Sequence, residues 1–382
     1  MKPSIEVEEE EEESSNEDRL SNLSDETIHH ILFFMDAKSA IQMSVLSKRW
    51  RYLWTSLPVL NFLDWSFDNP VIFRCFVKHV LSHRDASTNL NMLKLVCNGD
   101  VNVYIVHFII NYLIPRGIQD LSILAECCVR KLPQLSACHS LTTLKLAYIA
   151  TETTTFDSVS LQHLYIFQCE FMCSRVEELD PFSGCPNLRC LQLLDCSYFS
   201  KIQKFQIHAP QLTDLSISNM RVHKKLDSDC VIELFTPKLQ SFSYSDSKYL
   251  YDFSIKVNLP FIEKVNFDIG SFQHYDEFMA RATNLSLKLI DFFEVMGSAK
   301  FVYLSAYIIV ALSTVPALLD GRSSPFTSLK NFELTTDTHI PLAIPINVMA
   351  YLFGGSPGFD CGRYKRGIIL DEDMDPLLFI TG

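Results

Sequence analysis

A short pattern of apolar residues recurs along most of the chain and constrains its fold more than any other feature. The pattern is apolar-x-x-apolar-x-apolar. The central apolar positions lie 20 to 30 residues apart, except for one gap of 37 residues, which predicts an insertion near residues 270–298. The copies are Leu90/Leu93/Leu95, Ile118/Leu121/Ile123, Leu141/Leu144/Leu146, Leu161/Leu164/Ile166, Leu188/Leu191/Leu193, Leu212/Leu215/Ile217, Leu239/Phe242/Tyr244, Ile262/Val265/Phe267, Ala299/Val302/Leu304 and Leu329/Phe332/Leu334.

Each copy has a simple physical interpretation. The closing apolar-x-apolar pair is typical of a β-strand that buries one face, because alternate side chains of a strand point to the same side. The apolar residue three positions earlier enters the same core. This pattern at this spacing is typical of leucine-rich repeats, which stack so that each repeat contacts its neighbours. The sequence therefore predicts an α/β leucine-rich-repeat solenoid over residues 65–350.

The cysteines fit the same repeat. The chain contains 12 of them, and Cys169 and Cys196 lie three positions after a strand pair, where the full leucine-rich template has Asn or Cys. The first twenty residues are acidic and lack the apolar stretch of a secretory signal. A reducing compartment, the nucleus or the cytoplasm or both, is therefore expected, with most thiols buried.

The charge of the chain is concentrated at its N-terminus. Residues 1–18 hold nine carboxylates and one lysine, and so carry −8 of the formal net charge of −12. Residues 1–17 are predicted to be a disordered acidic tail, because they offer little apolar area to bury. The remaining residues are nearly neutral and show no basic stripe, which argues against nucleic acid as a partner.

Residues 19–58 have the pattern of three short helices. Ser24 is suited to cap the first helix, and Asp25 lies in its positively polarised first turn. Leu23 and Ile28 have the spacing of a hydrophobic staple around that cap. The sequence therefore predicts that order begins near residues 18–20 and that the first helix begins directly after Ser24.

The second helix is expected at about residues 39–46 and the third at about residues 48–55. Trp50 and Trp54 lie four residues apart, which places them on one face of the third helix. Three helices of this size offer more apolar side chains than they can bury among themselves. This excess indicates a surface for another protein.

One uncharged stretch tests whether the chain spans a membrane. Phe301 to Leu319 is free of charged residues over 19 positions, about the length that crosses a bilayer. It contains Ser305, Ser313 and Pro316, however, and its start fits the repeat pattern. We interpret it as a buried strand followed by a buried helix, and we expect no membrane partner.

Two stretches carry a resemblance to a known family. Asp18 to Glu26 reads DRLSNLSDE, and Ser44 to Trp54 reads SVLSKRWRYLW. Both closely resemble the plant F-box family, and the repeats that follow resemble those of plant F-box/leucine-rich-repeat proteins. In that family the F-box binds a Skp-type adaptor, which bridges to a cullin scaffold carrying the ubiquitin-conjugating machinery. The resemblance implies a three-helix F-box at residues 18–64.

The resemblance also implies which residues contact the adaptor. The ten positions are Leu23, Ser24, Asp25, Ile28, Ile31, Leu32, Val45, Leu46, Trp50 and Trp54. The family usually has Leu-Pro-Asp-Glu at the start of the first helix, whereas this chain has Ser24 in place of the Pro. Loss of that rigid residue is a reason to expect reduced adaptor affinity. Many relatives carry a further C-terminal module, but residues 351–382 show no repeat template and are expected to form an irregular tail.

Other kinds of site are poorly supported. Residues 354–358 match the nucleophile motif G-x-S-x-G, but the residue after the serine is Pro357, which has no N–H to hold an oxyanion. Phosphate-loop, dinucleotide and H-E-x-x-H motifs are missing. The cysteines lack paired C-x-x-C spacing, and His29 and His30 have no third ligand nearby in the sequence. The sequence therefore predicts no catalytic residues, no cofactor and no metal.

The resemblance and the residues together predict the substrate-recognition subunit of an SCF-type ubiquitin ligase, which is not itself an enzyme. The alternative is a protein-binding scaffold, outside a ligase, with a weakened F-box. The protein target and the residues that bind it are unknown. Polar residues on or beside the strand pattern are equally candidate target contacts and ordinary surface: Lys94, Gln119, Lys145, Gln162 and Gln192.

Overall fold

The computed structural model describes most of the chain. The described ranges are 23–46, 48–98, 103–129, 135–152, 155–173, 176–199, 201–223, 231–246, 252–255, 259–269, 275–335 and 344–354. The predicted acidic tail, the first residues of the predicted F-box, most of the G-x-S-x-G stretch and residues 355–382 lie outside these ranges.

Helical segments come first in the chain, within a few residues of the predicted places. Helix α1 spans Asp25–Phe33, helix α2 spans Ala37–Gln42, and 3-10 helices follow at Met43–Val45 and Trp50–Ser56. The second segment begins earlier than predicted because the Asp36 carboxylate accepts hydrogen bonds from the two backbone N–H groups at positions 38 and 39. The third is a 3-10 helix.

Short strands make up most of the remaining structure. In chain order they are β1 (Val59–Leu63), β2 (Met92–Cys97), β3 (Asp120–Val129), β4 (Thr143–Thr151), β5 (His163–Phe167), β6 (Glu170–Phe171), β7 (Glu178–Leu179), β8 (Cys190–Leu194), β9 (Ser197–Phe199), β10 (Lys204–His208), β11 (Asp214–Ser218), β12 (Arg221–His223), β13 (Val231–Phe235), β14 (Ser241–Asp246), β15 (Asp252–Ile255), β16 (Lys264–Ile269), β17 (Phe301–Ser305) and β18 (Asn331–Thr335).

One parallel sheet runs through the molecule. Its strands lie in the order β1-β2-β3-β4-β5-β8-β11-β14-β16-β17-β18, so that successive repeats are neighbours in space. This is the connectivity expected when each repeat packs on the next. The mixed α/β fold, with helices followed by a strand-rich parallel sheet, is confirmed.

The other side of the repeats changes in character along the chain. Helices α3 (Pro70–His83) and α4 (Val103–Leu113) follow the first two strands, and β7, β10, β13 and β15 form a second, four-stranded sheet behind the middle repeats. Helices return as α5 (Tyr275–Val295), α6 (Ala306–Ser313), α7 (Pro316–Leu319) and α8 (Ile346–Phe353).

The repeat pattern marks the core of the protein. All thirty apolar residues of the ten copies are buried, the most accessible being Leu329 at 9% exposure. In neighbouring strands, the two apolar residues of one copy are paired with the two apolar residues of the next copy. The buried side chains of successive strands therefore lie side by side. Burial of these rows gives the sheet its principal stabilisation, because each buried aliphatic side chain contributes about 1.5–3 kcal/mol.

An additional copy of the pattern, missed by the sequence analysis, begins the sheet. Leu57, Leu60 and Phe62 have the same spacing and are 1–2% exposed. Strand β1, which contains two of them, pairs in parallel with β2. The first strand of the sheet therefore lies inside the predicted F-box, and the boundary predicted at residue 64 falls in continuous structure.

The predicted insertion is helix α5. Its described apolar face packs into the core, where the Phe292 ring lies 4.6 Å from the Phe267 ring and the Phe293 ring lies 6.0 Å from it, measured between centroids. The long gap between repeats thus adds a buried helix instead of an exposed loop.

The uncharged stretch from residue 301 has the structure expected of it. Strand β17 is followed at once by α6, whose Ile308, Ile309 and Leu312 are buried. Across the described ranges, none of the helices combines the length and the apolar character needed to cross a membrane. Further on, α8 runs past the boundary predicted at residue 350, because Tyr351 and Leu352 are buried against the core.

The cysteines have the environments that the repeat pattern implies. The Cys169 thiol donates to the Leu146 carbonyl oxygen at 3.6 Å, and the Cys196 thiol donates to the Ile166 carbonyl oxygen at 3.5 Å. Each thiol thus bridges to the strand of the preceding repeat. Burial raises the pKa of Cys169 to about 12 and raises that of Cys196 well above its ordinary value.

Thiol alkylation should separate these cysteines in the native protein. At neutral pH we expect iodoacetamide to modify Cys75, which is exposed, and to leave Cys169 and Cys196 unmodified until the protein is denatured. Iodoacetamide reacts with the thiolate form of cysteine, and burial disfavours ionisation of the thiol. Residue-resolved mass spectrometry checks this, and rapid native labelling of Cys196 would contradict the described burial.

Candidate adaptor-binding surface

The N-terminal helices pack around a small core of their own. Ile28, Leu32 and Trp50 are at most 2% exposed and form this core together with Ala40 and Leu57. The three-to-four-residue spacing on α1 directs the first two inward. These side chains hold the bundle together and are not accessible to a partner.

The beginning of α1 is fixed by Ser24. The Ser24 hydroxyl oxygen accepts a hydrogen bond from the Thr27 backbone N–H at 3.2 Å, as a helix N-cap does. Leu23 and Ile28 belong to the same apolar cluster, in agreement with the predicted staple. The predicted start of the helix is confirmed.

Replacing Ser24 by Ala removes this cap. We expect α1 to lose about 1 kcal/mol of local stability. Native-state hydrogen exchange of the Thr27 amide should then become about fivefold faster, since a locally opening helix exchanges in proportion to its opening constant. Ser24→Thr keeps the acceptor and is the matched control. Equal exchange in the Ala variant and the unchanged chain would show that the cap contributes nothing.

A charged pair joins the first and third helical segments. The Arg49 guanidinium lies 2.6 Å from the Asp25 carboxylate, with the two side chains 39% and 61% exposed. Solvent screening limits such a pair to at most about 1 kcal/mol. The pair links the two segments, and it leaves the Asp25 side chain accessible to solvent.

Five apolar side chains of the bundle face solvent. Val45 is 87% exposed, Phe34 72%, Tyr52 68%, Leu46 51% and Phe33 40%. They come from the end of α1, the end of the first 3-10 helix and the residue after it, and the second 3-10 helix. A concentration of exposed apolar groups on so small a unit is typical of a protein-binding surface. We call these five residues the apolar surface of the bundle.

The ten sequence-predicted adaptor positions divide into three groups. Ser24, Asp25, Val45 and Leu46 are exposed, and Leu23, Ile31 and Trp54 are half-buried. Ile28, Leu32 and Trp50 lie in the bundle core, so they support the surface instead of forming it. Phe33, Phe34 and Tyr52 were missed, although the helical spacing that buries Ile28 and Leu32 already turns Phe33 and Phe34 outward.

The bundle is also attached to the sheet. The Lys38 ammonium donates to the Ser66 carbonyl oxygen, and the Arg84 guanidinium donates to the Leu57 carbonyl oxygen. Trp54 packs against both the bundle core and the core of the repeats. One hydrogen bond runs from a bundle side chain to the backbone after β1, and the other runs from a side chain at the end of α3 to the bundle backbone. The bundle and the first repeat therefore pack as one body.

The face of the sheet opposite the core carries polar residues. Lys94, Lys145 and Gln192, which were singled out as candidate target contacts, lie in one register row of this face. The Lys145 ammonium lies 5.5 Å from the centre of the Tyr165 ring. Burial, followed by the charge and hydrogen bond of Cys190, raises the pKa of Tyr165 to about 12.

A surface depression of about 480 Å³ lies further along the chain direction, near the ends of strands β3, β4 and β5. It is lined by Glu126, Cys127, Tyr148, Ile149, Ala150, Gln168 and Glu170. The depression is open to solvent, and its charged lining residues are the two carboxylates Glu126 and Glu170. This arrangement does not point to a particular reaction. Within the described ranges, no group of three or more His, Cys, Asp and Glu side chains is arranged to hold a metal ion.

Comparison with known proteins agrees with the geometry. A family model described as the F-box domain matches residues 20–62. An F-box/LRR-repeat protein of Arabidopsis thaliana is 31% identical over 272 residues, which is 67% of this chain and 68% of the relative. A putative FBD-associated F-box protein of the same plant is 30% identical over 227 residues, 57% of this chain and 48% of the relative.

An Arabidopsis F-box/FBD/LRR-repeat protein is 28% identical over 276 residues, 67% of this chain and 61% of the relative. The alignments thus span about half to two thirds of the length of these relatives. The F-box match ends inside β1, which agrees with a strand shared by bundle and sheet. The chain belongs to the plant F-box/leucine-rich-repeat family.

Proposed function

We propose that this protein is the target-recognition subunit of an SCF-type ubiquitin ligase. Its bundle binds a Skp-type adaptor, and through it a cullin scaffold, while its repeats bind a protein target. The observation that carries the proposal is the apolar surface of the bundle, Phe33, Phe34, Val45, Leu46 and Tyr52, on a unit that matches the F-box domain.

The proposed mechanism is proximity. A target held by the repeats gains a high effective concentration at the ubiquitin carrier, and the chemistry takes place on partner proteins. Attachment of the bundle to the first repeat through Lys38, Trp54 and Arg84 supports this role, because a packed joint holds the two binding surfaces in one relative orientation. The nucleus and the cytoplasm are the proposed sites of action.

Ten positions were predicted to contact the adaptor, and burial refines that proposal. Direct contact is assigned to the exposed residues Ser24, Asp25, Val45 and Leu46, with Leu23, Ile31 and Trp54 at the margin. Phe33, Phe34 and Tyr52 are added to the proposed contact set because they are exposed apolar side chains of the same bundle.

The alternative function is a protein-binding scaffold with a weakened F-box. Its basis is Ser24, which stands where relatives usually have Pro. The backbone at Ser24 has a φ angle of −66°, however, which is the angle that a proline ring imposes. The serine therefore keeps the chain direction that Pro would give, and this favours retained adaptor binding.

Binding of the full chain to a purified plant Skp-type adaptor tests the proposal. Isothermal titration calorimetry should give a one-to-one complex with a dissociation constant of about 1 μM or tighter, equivalent to about −8 kcal/mol. Absence of binding by a chain with the expected circular dichroism spectrum would refute the ligase-subunit function and favour the scaffold. Ser24→Pro would then show whether that position is responsible.

A further inference from the structure

Two histidines lie side by side on the exposed face of helix α3. His79 and His83 are one helical turn apart, both are exposed, and their ring centroids are 3.9 Å apart. Two imidazoles at positions i and i+4 of a helix are able to bind one transition-metal ion, because residues at this spacing meet on the helix surface.

Hydrogen bonding prepares one of these rings for a metal. Nδ1 of His83 lies 2.8 Å from the His79 carbonyl oxygen, to which only a protonated nitrogen can donate. A neutral ring with its proton on Nδ1 satisfies this contact and leaves Nε2 as the nitrogen able to bind a metal ion. A histidine that donates one ring N–H to a backbone carbonyl and presents the other nitrogen outward has the arrangement usual for a metal ligand.

The surroundings favour a borderline-soft divalent ion. Cys75 lies one turn before His79 and is the exposed cysteine among the nine that the structure describes. A helix rises about 12 Å over eight residues, so one ion cannot bind Cys75 and His83 together. Cys75 has the same four-residue spacing from His79, but the ring contact and the His83 hydrogen bond favour the histidine pair as the chelate. Imidazole ligands suit Zn²⁺, Ni²⁺ and Cu²⁺ better than Mg²⁺ or Ca²⁺.

We propose that His79 and His83 form a two-residue binding site for a divalent transition metal such as Zn²⁺, completed by water. The described residues include no group of three or more side chains able to hold a metal, so water would supply the remaining ligands. The site lies on the helix that follows β1, outside the apolar surface of the bundle, and the proposal does not depend on the proposed ligase function.

Titration of the untagged full chain with zinc chloride tests the proposal. We expect one Zn²⁺ per chain at the tightest site. His79→Gln and His83→Gln should each weaken that site by at least the roughly 10- to 100-fold that accompanies changes around a metal ligand. His139→Gln, which removes an exposed histidine elsewhere, should leave it unchanged. Circular dichroism of each variant shows whether the fold is retained.

The absorption spectrum of bound Co²⁺ distinguishes binding by His79 and His83 from binding that involves Cys75. Co²⁺ bound by two imidazoles lacks the intense near-ultraviolet band of a cobalt–thiolate bond, and Cys75→Ser should leave both the spectrum and the affinity unchanged. Equal Zn²⁺ affinity in the unchanged chain and in both histidine variants would overturn the site. A thiolate band lost in Cys75→Ser, with His83→Gln still binding normally, would overturn the assignment to the histidine pair.

Discussion

The double substitution of Val45 and Leu46 by Asp should abolish tight binding of a Skp-type adaptor while leaving the protein folded. The two side chains are 87% and 51% exposed, so the change does not disturb the bundle core. Each carboxylate would have to lose water against an apolar partner surface, which is costly. We expect affinity to fall at least about 30-fold, or about 2 kcal/mol, the scale of an interface hot spot.

Calorimetry with the purified adaptor measures this loss, and thermal denaturation verifies the fold. Ile346→Asp is the matched control, because Ile346 is 89% exposed on α8, beyond the opposite edge strand of the sheet. Trp50→Ala is a contrasting variant: Trp50 is buried, so binding and bundle stability should decline together. Adaptor affinity equal to that of the unchanged chain in the Val45/Leu46 variant would place the adaptor interface elsewhere.

Phe267→Ala should be among the most destabilising single changes in the repeats. The Phe267 side chain is fully buried, and its ring lies 5.7 Å from the rings of both Phe242 and Tyr244 and 4.6 Å from that of Phe292, between centroids. Its removal leaves a cavity between the sheet and α5. We expect a loss of about 3–5 kcal/mol in the free energy of unfolding.

Urea denaturation followed by circular dichroism measures the loss. Phe301→Ala is the control, because Phe301 is the first residue of β17 and its side chain is 36% exposed. Its substitution should lower the free energy of unfolding by no more than about 1 kcal/mol. A midpoint for Phe267→Ala close to that of the control would mean that α5 closes the cavity by moving. Adaptor binding provides a second measurement, since the distant bundle should retain it in a chain that remains folded.

The sheet could be predicted from sequence because its signal is repeated. Any one copy of the apolar pattern is weak evidence, but rows such as Leu164, Leu191 and Leu215 lie in register in the structure as their spacing predicted. The copy at Leu57, Leu60 and Phe62 was missed because it lies inside a stretch whose helices and family resemblance already explained it. Dividing the chain at residue 64 into an F-box and repeats assigned β1 to the F-box alone, although it is also the first strand of the sheet.

The second sheet and the extent of α5 were not predictable in the same way. Strands β10 and β13 occupy the variable part of the repeat, where the template specifies no residue, and pairing between them depends on neighbours distant in sequence. At the candidate adaptor surface, the resemblance identified the segment but not the direction of each side chain. The helical periodicity indicates which side chains face the core: Ile28 and Leu32 are buried, whereas Phe33 and Phe34 are exposed.

Strand β1 has a consequence for the choice of modification site on a bound target. Because Leu57 and Phe62 pack within one continuous stretch, the described residues between bundle and sheet include no flexible linker of the kind that lets a tethered domain explore space. If the adaptor binds as proposed, a target seated on the repeats keeps a fixed pose relative to the ubiquitin carrier. The acceptor lysine would then be selected by its position on the target surface, and moving the target by one repeat would present a different lysine.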